Sequence, residues 1–381
     1  MTDPLIWAEI DLAAVARNTR ALKSLVGDRC ALMAVVKANA YGHGMIPIAR
    51  TVLENGAAAL GVSRIEEARA LREAGVTAPV LILGATPPSA FPDIARHDFR
   101  QTIWDQGQAE ALSRAAVAAK KPIRIHLKID TGMGRLGLAA LPSSDPDMMA
   151  EALRQAAAAA ELPGLILEGV YTHFAAADAA DKAFARAQLD GFRHFLTELR
   201  QAGLSPAQCH AANSAALIDL PESHLDMVRT GLSIYGLYPS EAVNHNQAVL
   251  TPAMALKARL IQVKKVPAGF TVSYGATYTT PRPTTLAVVP AGYADGYSRA
   301  HSSRGTMLVR GHRVPVVGRV CMDLTVLDVG CLEAVAVGDE AVIFGRQEGA
   351  AIPVEEVAAA LDTINYEIVS TVAERVPRVY L

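Results

Sequence analysis

The chain has 381 residues, 51% of them hydrophobic and 19% charged, which suits a large buried core and argues against disorder. Thirty-six basic and thirty-eight acidic residues leave a net charge of −2, and no run of Lys and Arg marks a nucleic-acid footprint. A small-molecule partner is therefore expected. The opening Met1-Thr2-Asp3-Pro4 lacks the basic start and apolar run of a secretory signal. The longest uncharged stretch, 74–92, is broken by Pro79, Pro87 and Pro88, so it reads as strand and loop rather than as a membrane span. Cys30, Cys209, Cys321 and Cys331 are scattered without CxxC pairing, which suits free thiols in the cytoplasm and no metal site.

In chain order, short apolar runs alternate with alanine-rich helical stretches. Strands are expected at 31–37, 58–62, 79–84, 100–104, 123–129, 167–173, 208–212 and 225–229. Amphipathic helices are expected between most of them, at 65–74, 106–119, 148–161 and 182–201. Strand–helix units imply a parallel sheet, and eight of them imply closure into a (β/α)8 TIM-type barrel over about residues 1–238. After Gly236 the texture changes to short β-branched runs at 263–266, 285–289, 307–310, 314–317, 325–329 and 340–344, with one helix at 354–361. Residues 239–381 are expected to form a mostly antiparallel β domain. The opening segment 6–10 could pair with either domain.

A barrel of this kind keeps its chemistry where strands end. Strand one ends at Lys37, followed by Ala-Asn-Ala-Tyr41-Gly-His-Gly. Strand five carries Lys128 and runs into Asp130-Thr-Gly-Met-Gly-Arg135. Strand six ends at His173, strand seven leads to Asn213 and Ser214, and strand eight ends at Arg229 before Thr230-Gly231-Leu232. Singly, each has a plain reading: a solvated lysine, a core histidine, a helix N-cap. Their convergence on one rim argues for a site. Gly132-Met-Gly134-Arg-Leu-Gly137 matches G-x-G-x-x-G, but residues 138–145 intervene before any helical periodicity, which excludes a dinucleotide fingerprint. Backbone N–H groups at Gly231 and at Asn213-Ser214, beside the last two strands, suit a phosphate. With a lysine at strand one, they point to a phosphorylated aldehyde held covalently.

Ala34-Val-Val-Lys37-Ala-Asn-Ala-Tyr41-Gly-His-Gly44 resembles the pyridoxal-phosphate attachment motif of the alanine racemases. The resemblance runs on through 126–137, Tyr171-Thr-His173-Phe, Ala212-Asn213-Ser214, Val228-Arg229-Thr-Gly231 and Tyr235-Gly-Leu-Tyr-Pro. It continues into the β domain with Val272-Ser-Tyr274-Gly-Ala, Gly292-Tyr293-Ala-Asp-Gly, Gly318-Arg-Val-Cys-Met322-Asp323 and Asn365-Tyr366-Glu367. No catalytic position departs from the pattern.

The resemblance implies a cytoplasmic homodimer that interconverts L- and D-alanine on pyridoxal 5'-phosphate and supplies D-alanine for peptidoglycan. Lys37 would hold the cofactor and exchange the proton on the D-side, with Tyr274 of the partner subunit serving the L-side. Tyr41, Asn213, Ser214, Gly231, Leu232 and Tyr366 would bind the cofactor phosphate end. Arg135, Tyr293 and the Met322 backbone N–H would receive the substrate, and Lys128 would be carbamylated and orient Arg135. Tyr274 would be linked through His173 to Arg229, which would meet the pyridine nitrogen. The alternatives are a broad-specificity amino-acid racemase, a barrel decarboxylase, expected to carry an acid in place of Arg229, and a non-catalytic pyridoxal-phosphate carrier lacking the second domain.

Overall fold

The computed structural model describes residues 4–140 and 146–381, so the 141–145 part of the stretch separating the glycine motif from the next helix lies outside the described residues. The chain divides into two compact units, one of Ala14–Ala40 with Met45–Pro252, the other of the opening segment through Ala13, Tyr41–Gly44 and Ala253–Leu381. The division thus falls after Pro252 rather than near residue 238. A buried side chain supplies the reason. Asn18 Nδ2 donates to the carbonyls of Ile234 (3.2 Å) and Thr251 (2.9 Å), and Thr251 N donates back to Asn18 Oδ1 at 2.9 Å. These three bonds hold the chain as far as Thr251 against the helix Leu12–Val26.

The first unit is a closed ring of eight parallel strands: Ala31–Val35, Ala59–Val62, Val80–Ile82, Arg100–Ile103, Ile123–Asp130, Leu165–Tyr171, Gln208–His210 and Met227–Thr230. The eighth pairs with the first, Met227 opposite Ala31, which closes the barrel. The strands are buried along nearly their whole length, as a sheet covered on both faces requires. Strand one stops at Val35, two residues before its expected end. After strand eight, a 3-10 turn, Leu232–Tyr235, follows in place of a full helix. Met33, Ala59, Leu81 and Met227, from four adjacent strands, form one apolar cluster. The strands on the other side carry buried polar residues instead, Gln101, Thr102, His126, Lys128 and His210, and Arg229 joins them from the last strand. Barrel interiors are usually filled by branched apolar residues, so this polar half calls for a chemical explanation.

In the second unit the segment Ile6–Ile10 pairs antiparallel with Met254–Arg259 and parallel with Arg378–Tyr380, which settles where the opening strand belongs. Met254–Arg259 also pairs with Glu340–Gln347, and the sheet continues through Thr306–Val309 to His312–Pro315. A separate three-stranded antiparallel sheet joins Gln262–Val266, Thr284–Val289 and Thr325–Asp328. The terminal strand Arg378–Tyr380 escapes the sequence pattern because its side chains stay partly exposed. No helix among the described residues is long and apolar enough to cross a membrane, and all four cysteines are free.

Candidate active site

Lys37 opens a turn that L-residues rarely adopt. Ala38, Asn39, Ala40 and Tyr41 all have φ between 52° and 54°, a left-handed turn without glycine. Each such residue costs about 1–2 kcal/mol, so neighbouring groups must hold it. Glu67 does so from the helix Ile65–Glu73 that follows the second strand: Oε1 accepts from Ala38 N at 2.6 Å, while Oε2 accepts from Ser63 N and Arg64 N. Asn39 Oδ1 accepts from Met45 N at 2.8 Å, and Ala40 N donates to Val36 O at 2.9 Å. The following glycines are dictated by close approach within the second unit. A Cβ on Gly42 would stand 2.1 Å from Val369 O, and one on Gly44 1.9 Å from the Tyr380 hydroxyl. Burial lowers the Lys37 pKa and Arg135 lowers it further, with Glu67 opposing. A lysine so placed has more of its amine neutral and nucleophilic.

The glycine-rich segment after strand five closes on a carboxylate. Asp130 Oδ1 accepts from the backbone N–H of Gly132, Met133 and Gly134, and Oδ2 accepts from Arg135 N at 3.0 Å. Burial raises the Asp130 pKa, but these four donors outweigh it and hold the group below the usual carboxylate range. A Cβ on Gly137 would stand 2.6 Å from Asp130 N, and Leu138–Ala139 then pairs with strand five. The glycines of the G-x-G-x-x-G match therefore serve a turn wrapped around Asp130, from which Arg135 projects. Lys128 stands on the same strand, its ammonium 5.7 Å from the centroid of the Tyr171 ring. Burial, then Arg135 and Arg229, push its pKa down to about 8.

Arg229 is buried and makes four hydrogen bonds. Nη1 donates to His210 Nδ1 at 2.9 Å, and Nη2 donates to the carbonyls of Thr172 (2.8 Å) and Ala211 (3.1 Å) and to His173 Nδ1 (3.2 Å). Its guanidinium also lies over the Tyr171 ring, 4.9 Å from the centroid. Because a guanidinium only donates, His173 Nδ1 must accept, leaving its proton on Nε2. Burial, then Arg229, hold the His173 pKa well below its ordinary value. The segment around His173 is fixed by Gln188, whose Oε1 accepts from Ala175 N and whose Nε2 donates to His173 O. A single glutamine on a long amphipathic helix carries no sequence signal for that task.

At the ends of the last two strands, Ser214 Oγ accepts from Gly231 N at 3.1 Å and lies 3.2 Å from Thr230 Oγ1. Asn213 caps the short helix Ser214–Asp219, accepting from Ala216 N. Leu232 begins the 3-10 turn, and Tyr235 Oη ties that turn to Val35 O at 2.9 Å, at the foot of the Lys37 loop. Lys37, Lys128, Arg135, His173, Asn213, Ser214, Arg229, Gly231 and Leu232 thus all follow or end barrel strands within one unit.

The remaining expected residues belong to the other unit. The Tyr41 and Tyr366 rings are 6.1 Å apart by centroid. Tyr274, Tyr293 and Met322 sit on three linked loops: Ser273 Oγ donates to Arg319 O at 2.6 Å, Tyr293 N to Cys321 O, and Ala294 N to Met322 O. Ser273 itself has φ 63° and ψ −173°, a conformation normally left to glycine, immediately before Tyr274. The three side chains are open to solvent, Tyr274 at 72%, Met322 at 53% and Tyr293 at 43%.

A parallel barrel with a pKa-lowered lysine, an arginine loop and backbone donors at its strand ends, followed by a mostly antiparallel unit bearing exposed tyrosines, is the architecture of a class of two-domain barrel enzymes. The N-terminal domain model of alanine racemase matches residues 10–239 and the C-terminal domain model residues 253–380. An alanine racemase of Desulfosudis oleivorans is 58% identical over all of this chain and 97% of its own length. Solved alanine racemases of Streptomyces lavendulae (45% identity, TM-score 0.92, covering 100% of this chain and 98% of that one) and Clostridium difficile 630 (35%, 0.93, 100% and 97%) share the fold. The chain belongs to the alanine racemase family.

Proposed function

We propose that this enzyme interconverts L-alanine and D-alanine on pyridoxal 5'-phosphate, as a cytoplasmic homodimer that supplies D-alanine for peptidoglycan. The observation that carries the reading is Lys37: a half-buried amine of lowered pKa at the head of the strained turn 38–41, where the first barrel strand ends. The residues fit the cofactor chemically. Lys37 is suited to bond its aldehyde, while the N–H groups of Gly231 and Leu232 and the hydroxyls of Ser214, Tyr41 and Tyr366 suit its phosphate, with Asn213 shaping that end as the helix cap. Burial raises the Tyr41 phenol to about 12, so it remains a donor. When bound, the cofactor withdraws electron density from the substrate Cα and so acidifies its proton.

The chain's residues supply the rest. Inversion needs one acid–base group on each face of Cα, and Lys37 and the partner subunit's Tyr274 fill these places. A free tyrosine titrates near 10, and His173 lowers the cost of ionising it by presenting Nε2–H as a donor. Arg135 binds the substrate carboxylate, aided by Met322 N–H and Tyr293 of the partner subunit. The exposure of Tyr274, Tyr293 and Met322 on linked loops supports their burial against a second copy. Arg229, always charged and donor-only, favours an unprotonated pyridine nitrogen and moderates electron withdrawal.

The test is an assay of the purified protein against a panel of L-amino acids, with and without added pyridoxal phosphate. Alanine is expected to be racemised fastest, and borohydride treatment to fix the cofactor on the peptide containing Lys37. Labelling of another lysine, or equal rates on large side chains, would sink the reading.

Two further outcomes follow from the Arg135 loop. Replacing Asp130 by alanine removes the acceptor of four backbone donors. The KM for alanine is then expected to rise about tenfold or more, with a smaller change in kcat. An unchanged KM would mean that Arg135 does not depend on this turn.

Lys128 supports carbamylation: with a pKa of about 8, about one amine in ten is neutral at pH 7 and able to add to carbon dioxide, its proton leaving to solvent. The resulting anion would orient Arg135. Lys128→Ala is expected to lose about 10- to 100-fold in kcat/KM and to recover part of it with added acetate or another small carboxylate. Absence of rescue, with an unmodified lysine by intact mass, counts against the carbamate.

A further inference from the structure

Below Arg229, toward the strand starts, the polar half of the barrel holds a row of groups that the chemistry above leaves unused. His210 Nε2 lies 2.8 Å from His126 Nδ1, and His126 Nε2 lies 3.2 Å from Glu168 Oε2. Arg100 Nε donates to Glu168 Oε2 at 3.1 Å, Arg124 Nε lies 3.3 Å from Oε1, and Asp98 bridges both arginines. Both imidazoles are fully buried, His210 stacked on Tyr171 at 4.7 Å between centroids. Three features mark the row as built. His126 and Glu168 come from adjacent strands whose register shifts between Ile125 and His126. The shift places Gly169 beside the imidazole, where a Cβ would stand 2.4 Å from His126 Nδ1. The carboxylate, finally, is held by two arginines.

Donor and acceptor chemistry fixes every proton in the row. Arg229 only donates, so His210 Nδ1 accepts and His210 carries its proton on Nε2. That proton is donated to His126 Nδ1, which must accept, and His126 Nε2–H is donated to the ionised Glu168. Burial depresses both histidines, consistent with neutral rings.

We propose that His126 and Glu168 are positioning residues for Arg229: a carboxylate at one end and a guanidinium at the other lock His126 and His210 as Nε2–H tautomers, so that every hydrogen bond points from Arg229 toward Glu168. Without His126, the buried His210 Nε2–H loses its acceptor. The ring is then free to tilt in search of another acceptor, and its Nδ1 no longer stands fixed as the acceptor for Arg229. The consequence for turnover rests on the role given to Arg229 above; the proton order does not.

The experiment is 15N spectroscopy of histidine-labelled protein, with and without pyridoxal phosphate, beside racemisation kinetics. The unsubstituted protein is expected to show His126 and His210 protonated on Nε2 and bare on Nδ1 near neutral pH. His126→Leu should shift the His210 resonances and lower kcat about tenfold with little change in KM. Gly169→Ala, which displaces the ring without altering it, should move the same resonances should the leucine variant fail to fold. His126→Asn, whose amide oxygen can accept in place of Nδ1, should restore both. A His210 proton on Nδ1 in the unsubstituted protein overturns the proposal, as do His210 resonances indifferent to both His126→Leu and Gly169→Ala. Shifted resonances with an unchanged kcat uphold the proton order and overturn instead the role of Arg229 at the pyridine ring.

Discussion

Lys37→Ala and Tyr274→Phe proteins, each expected to lose about 10³-fold or more in racemisation, should regain activity when mixed under conditions that exchange subunits. In a two-fold dimer with shared sites, each heterodimer has one site lacking both groups and one with Lys37 from one chain and Tyr274 from the other. Random exchange makes half of the dimers mixed, so about a quarter of the wild-type activity should return. The structural grounds are the 72% exposure of Tyr274 and its position on a strained loop linked to the loops of Met322 and Tyr293, which are also exposed. A hydroxyl held in a conformation as costly as that at Ser273 and then left in solvent would serve nothing in a lone subunit. Demonstrated exchange without recovered activity would mean that Tyr274 works within its own chain.

The second large effect is expected at Arg229. Arg229→Glu replaces a donor-only cation with a carboxylate, which favours a protonated pyridine nitrogen. Stronger electron withdrawal should slow return of the proton to Cα and open a loss to the keto acid. Racemisation is expected to fall by about 10²-fold or more while pyruvate formation rises. Because four acceptor atoms converge on Arg229, the glutamate also leaves them unsatisfied, costing about 3–5 kcal/mol of stability. Arg229→Lys separates the two effects: it loses part of the same network but keeps the charge, so its activity should fall without added pyruvate. Equal pyruvate from both variants would remove Arg229 from control of the ring.

The sequence by itself determined the eight strand–helix units, because a parallel strand buried on both faces is a continuous apolar run and each intervening helix keeps a period of its own. It also determined which reactive residues follow the barrel strands, since the topology sends whatever follows each strand to one rim. Lys37, Lys128, Arg135, His173, Ser214 and Arg229 could therefore be named before any coordinate was known. Their supports could not. Glu67 under the Lys37 turn, Gln188 behind His173 and Glu168 below His126 act through hydrogen bonds whose partners are set by the pitch of neighbouring elements, and each looks like an ordinary polar residue in its own segment. Asp130 was visible only as part of a glycine motif, and its task of closing that loop emerged when four N–H groups converged on it. The division after Pro252 and the membership of Ile6–Ile10 in the second unit were decided by pairings between residues more than two hundred positions apart, such as Asn18 with Thr251 and Ala8 with Leu256. Local propensity holds no information about such contacts, because they exist only once the intervening chain has folded.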